Sequence, residues 1–131
     1  MIMHSIKVDC AGRAEVINTG FCGIHEFCTK NIGPKCETPE FVHPKRLPRP
    51  YVMVVDESGL YHDLKINVVG SYLYQMDVHG CPIVGDILFM KNVMTSSGPD
   101  VAFLNDDDVA VLIGILEYSG ARFKSEDQEG E

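Results

Sequence analysis

Thiol, imidazole and carboxylate groups crowd one short stretch of the chain: Cys22, His25, Glu26 and Cys28 lie within seven residues, and Cys36 follows. Such soft donors are what a zinc ion needs. Structural zinc sites, however, set cysteine pairs roughly two to four residues apart against a second matching pair. Here five residues separate Cys22 from Cys28, and no second pair exists. Helical spacing puts Cys28 on the apolar face with Ile24, so it reads as a buried thiol, and no metal ligands are expected. Cys81 stands two residues after His79, but a catalytic base normally comes from elsewhere in a fold, and the expected reading is a structural turn. The Gly-x-Ser-x-Gly and His-Glu-x-x-His arrangements are missing. Gly70, Gly80 and Gly85 are too irregularly spaced to cradle a phosphate. Asp106, Asp107 and Asp108 are consecutive, so they point in different directions, as helix-capping acids do and calcium-loop ligands do not. No catalytic residue, metal or cofactor is therefore assigned.

A second group of side chains suits recognition better than catalysis. Asn67, Ser71, Tyr72, Tyr74 and Gln75, then His79 and Gly80, gather polar and aromatic groups around a turn. Tyrosines offer a flat apolar surface with a hydrogen-bonding tip, which suits a small ligand or a partner. The competing reading is that they merely cover the edge of the core. Lys45, Arg46 and Arg49 form the one fixed cluster of positive charge and would serve as an anion clamp.

The elements that must position these groups follow from periodicity. Ser5 to Val8 and Ala14 to Ile17, joined by Ala11-Gly12-Arg13, read as a hairpin. Ile24, Phe27, Cys28 and Ile32 make a helical stripe that Gly33-Pro34 would end. Lys35 to Val42 contains Pro39 and is at most an edge strand. Residues 43–50 hold three prolines and three cations and read as an extended surface loop. Tyr51 to Val55 is a continuous apolar strand ending in the turn at residues 56–59, with Leu60 to Ile66 as its partner. Asn67 caps a short helix through Tyr74 that turns Val69, Leu73 and Met76 inward. Pro82 to Met90 reads as a second apolar strand with a bulge or close approach at Gly85. Residues 95–99 form a loop. Asn105 to Asp108 open a helix over Val109 to Leu116 that ends near Ser119-Gly120. The expected fold is a single α+β domain over residues 1–119, mainly antiparallel, with two or three short helices. Residues 120–131 read as an acidic, disordered tail.

Composition narrows the function classes. The chain has 131 residues, 45% apolar and 23% charged, close to globular averages. Its net charge of -8 is uneven, because residues 105–131 contribute -6 and the rest only about -2. That body lacks the basic surface needed for direct nucleic-acid binding. No apolar run approaches the ~20 residues of a membrane span, and the N-terminal residues lack a signal-peptide pattern. An odd cysteine number, five, fits a reducing compartment. A cytoplasmic protein is expected.

The stretch Ile66-Asn67-Val-Val-Gly-Ser-Tyr-Leu73-Tyr74, followed by His79-Gly80-Cys-Pro-Ile83-Val84-Gly85-Asp86, resembles a family of small phage and mobile-element proteins defined only as a domain of unknown function. The likeness extends from Ile6-Lys7-Val8 through residues 54–59 to the C-terminal helix; the proline-rich loop and acidic tail depart from the pattern. It implies a phage setting and suggests, by analogy, action on host defence inside the host cytoplasm. Three readings follow. The first is a non-enzymatic binding protein that sequesters a nucleotide-type signal or occupies a host immune effector, self-associating, with ligand contacts from Asn67, Ser71, Tyr72, Tyr74, His79, Arg46 and Arg49. The second is an acidic mimic of nucleic acid, or an inhibitor acting by protein contact. The third is an enzyme using Cys81 and His79.

Overall fold

The computed structural model describes residues 2–32, 36–59, 64–75, 78, 80 and 82–123. Along these the chain forms β1 (His4–Val8), β2 (Arg13–Asn18), α1 (Ile24–Asn31), β3 (Pro39–Val42) and β4 (Tyr51–Asp56). It continues through α2 (Val68–Leu73), β5 (Ile87–Thr95), β6 (Gly98–Ala102), α3 (Asp106–Tyr118) and β7 (Arg122–Phe123). The strands make one sheet in the order β3-β4-β5-β1-β2-β7, with β6 also on β5. Every pairing is antiparallel except the short parallel contact of β7 with β2.

Alternation along the central strands explains the layering. Every residue of β4 is buried: Tyr51, Met53 and Val55 enter one cluster, Val52 and Val54 the other. β5 divides likewise, Ile87 and Phe89 against Leu88 and Met90. A continuous apolar strand is one covered on both faces. Val69 and Leu73 of α2 and Leu112 and Leu116 of α3 cover the first face, and Phe27, Cys28 and Ile32 cover the second from the α1 side. The α+β class with a mainly antiparallel sheet is thus present, arranged as helix, sheet and helix layers.

Four expectations change in detail. The neighbours of β4 are β3 and β5; residues 60–63 lie outside the described residues, and Ile66 makes only an isolated bridge to Val84. The second apolar strand starts at Ile87 rather than Pro82 and runs on to Thr95. The loop at residues 95–99 is a tight hairpin turn, with Thr95 paired to Gly98, and it opens the unforeseen strand β6. Gly98-Pro99 reads as a breaker in sequence, yet β6 pairs on one side with β5, and an edge position tolerates proline. At the C-terminal end, Ala121 is buried and Arg122 and Phe123 join the sheet, although both fall in the stretch expected as tail. Residues 124–131, like Met76, lie outside the described residues.

Asn67 ties three parts of this framework together. Its side chain is fully buried. Nδ2 donates to the Val8 carbonyl at 3.0 Å and to the Gly85 carbonyl at 2.9 Å, while Oδ1 accepts the Gly70 N–H at 2.9 Å. The N-cap of α2 therefore also holds the end of β1 and the approach to β5. Gly85 sits at φ +82, where a Cβ would lie 2.7 Å from the Leu64 side chain, so the close approach expected there is real. Replacing Asn67 by leucine would take a partner from the Gly70 N–H and from the Val8 and Gly85 carbonyls, at a cost of about 1–3 kcal/mol for each group left unsatisfied. Asn67→Leu should lose about 3 kcal/mol or more in chemical denaturation; a loss below about 1 kcal/mol would contradict the tie.

Candidate binding face

The proline-rich loop is docked rather than solvated. Pro44 and Leu47 are buried, and Leu47 belongs to the main core cluster. This leaves Arg46 against α2: its Nη1 donates to the Tyr72 carbonyl at 2.8 Å, and its guanidinium carbon lies 4.4 Å from the centre of the Tyr72 ring. A cation at the last turn of a helix is favoured by the carbonyls exposed there, and the ring face adds a second attraction.

Across from this pair runs the outer surface of α3. Its inward positions, Leu112 and Leu116, are fully buried, but Val111 is 51% exposed and Tyr118 87%. Val111, Gly114, Ile115 and Tyr118 recur at the spacing of one helical face, so α3 carries apolar residues on its outer as well as its inner side. Between that stripe and Arg46 and Tyr72 lies a groove of about 620 Å³. The size is that of a recognition cleft, and its lining is largely apolar or aromatic, with one guanidinium.

The position of α3 is fixed at its first turn. Asn105 accepts the Asp108 N–H, and the Asp108 carboxylate accepts the Asn105 N–H, completing a capping box. The same carboxylate meets Lys91 Nζ of β5 at 2.6 Å and accepts from the Tyr51 hydroxyl of β4 at 3.2 Å. Burial pushes the Asp108 carboxyl up, but hydrogen bonds from Lys91, Asn105 and Tyr51, with the Lys91 charge, outweigh burial and hold it below its ordinary value. Burial, then Asp108, raises the Tyr51 phenol. Next to this network His4 Nε2 lies 2.8 Å from Asp106 Oδ1.

The residues expected to bind ligand do not converge. Ser71 is buried, with Oγ donating to the Ile83 carbonyl at 3.1 Å and accepting the Ile83 N–H at 3.0 Å. Like Asn67, it spends its hydrogen bonds inside the fold. Tyr74 packs on the core and lines a separate hollow of about 130 Å³ with Asp56 and Glu57. Arg49 is exposed on the loop. Among the described residues, Arg46 and Tyr72 are the expected pair that lines one groove. His79 and Cys81 lie outside the described residues. The α3 stripe was missed because its residues were read as one apolar run; the surplus over a single buried face was the available signal.

Two cysteines are inert on physical grounds. Burial, with Cys36 nearby, pushes the Cys28 thiol up to about 12; burial and the Asp56 charge push Cys36 up to about 11. Among the described residues, no group of three or more His, Cys, Asp or Glu side chains could hold a metal ion, and no helix is long and apolar enough to cross a membrane. Compared with protein-family models, curated proteins and solved structures, the chain matches none.

A carboxyl held low when folded contributes stability above its unfolded value, about 4, and that contribution is lost as pH falls through the folded value. Asp108→Asn should therefore be less stable than wild type near neutrality and decline less steeply below about pH 4. Thermal melts between pH 2 and 7 would show this; parallel profiles would refute the role given to Asp108.

Proposed function

We propose that this is a non-enzymatic binding protein that acts by occupying another protein, through the face formed by α2, the 43–50 loop and α3. The observation that carries the reading is the apolar outer stripe of α3 beside the Arg46–Tyr72 pair. Exposed apolar stripes next to an aromatic and an arginine are the composition of interface cores, where tyrosine and arginine are enriched and most charges are depleted.

A nucleotide-sequestering role is less well supported. Such a pocket needs convergent polar groups for base and phosphate. Asn67 and Ser71 are turned inward, and the Tyr72 ring face that would stack a base carries the Arg46 guanidinium. The phage setting implied by the family resemblance makes a host defence effector the natural class of target.

Two measurements separate the readings. Immobilised wild-type protein should retain a specific host protein that Tyr118→Glu fails to retain, with both forms equally folded by circular dichroism. A thermal-shift series with linear and cyclic nucleotides should leave the melting temperature unchanged. A rise with one nucleotide that Arg46→Ala abolishes would replace the protein-contact reading with a small-ligand one.

A further inference from the structure

We infer that in the absence of its target this face is covered by a second copy of the chain, two α3 helices packing in parallel about a two-fold axis, so that the protein masks its own binding surface. The inference rests on reading the face as a site of protein contact. α3 is thirteen residues long, about 20 Å at 1.5 Å per residue. A helix apolar on both sides is one that something covers.

The two flanks of the stripe differ in charge, and that difference selects both the occupant and its orientation. On the flank of Ile115 stands Arg46, with exposed Lys45 and Arg49 on the same loop. At about 100° per residue, Glu117 lies about 160° around the helix from Ile115, and Asp106 lies near Glu117. Glu117 and Asp106 are both exposed. The stripe is thus bordered by the Arg46 guanidinium on one side and by carboxylates on the other.

Two identical helices can lay one stripe against itself in two ways, each isologous. If the two-fold axis runs across the helices, they are antiparallel and each flank meets its own copy, Arg46 toward Arg46 and Glu117 toward Glu117. If the axis runs along the helices, they are parallel and each basic flank meets the other copy's acidic flank. Only the parallel pair is complementary in charge, and juxtaposed like charges count against the other. Gly114 stands in the middle of the stripe, and a Cβ added there would meet nothing within 4 Å. The backbones can therefore approach most closely at Gly114, with Val111 and Tyr118 packing on either side. Helices crossing at an angle diverge toward their ends, which separates the two Asp107 side chains. One helix and a flanking loop fall at the small end of stable interfaces, about 600 Å² per partner, so the dimer should be concentration-dependent and displaceable.

Sedimentation velocity on the full chain tests this. Wild type should pass from monomer to dimer with rising concentration. Arg46→Glu and Glu117→Arg should each weaken dimerisation roughly tenfold or more, and the double reversal should restore it, which a folding defect would not do. Because Arg46 also anchors the loop, a second variant gives an independent reading: Gly114→Cys should yield a covalent dimer with a short bis-maleimide, and wild type should not. A wild-type chain that stays monomeric, a dimer indifferent to both charge reversals, or a dimer that Gly114→Cys does not trap would overturn the inference. If the chain is monomeric and Tyr118→Glu still loses the captured target, self-masking fails and the protein-contact reading stands. If Tyr118→Glu changes neither dimer nor capture, both fall.

Discussion

One buried amide holds the middle of this molecule in register. Asn67 caps α2, yet two of its three side-chain hydrogen bonds leave the helix, to the end of β1 and to the turn before β5. An unpaired polar group in such a place costs as much as several methylenes contribute, so the three segments must be assembled together or not at all. Ser71, one turn further along α2, repeats the device with both the N–H and the carbonyl of Ile83. The segment from Pro82 to Asp86 has little regular structure of its own and is held by these two side chains together with backbone bonds to Lys65 and Asn67.

Two further attachments place the surface that faces outward. Asp108 is shared by the capping box, Lys91 on β5 and Tyr51 on β4, so the first turn of α3 is fastened to two adjacent strands of the sheet. Arg46 fastens the loop to the end of α2. Between them the groove has walls set by directional polar bonds and a lining that is mostly apolar. Such a surface is preorganised, which lowers the ordering cost of binding.

Local patterns made much of this legible. The hairpin of β1 and β2, the stripe of α1, the unbroken apolar run of β4 and the capping signals of Asn67 and Asn105 all act over fewer than about ten residues, and each produced the element its pattern implies. β6 was not legible, because Gly98-Pro99 breaks a strand in most settings and is tolerated here by an edge position. The candidate site was half visible. Arg46 and Tyr72 were identified, but nothing local reveals that Asn67 and Ser71 point inward while Tyr72 points out. Nor does an apolar run announce that its surplus residues will face solvent. Both depend on which side of a helix the sheet occupies, a fact of tertiary packing.

The outer strand β3 has only four residues and opens on Pro39, opposite Asp56 of β4. Proline brings no N–H to such an edge, and short strands that begin this way are how sheets discourage another chain from extending the ladder. On that side growth by strand addition is discouraged, which shifts association toward side-chain surfaces. A protein guarded at this edge can carry an apolar helix face with less tendency for the β3 edge to template a growing ladder.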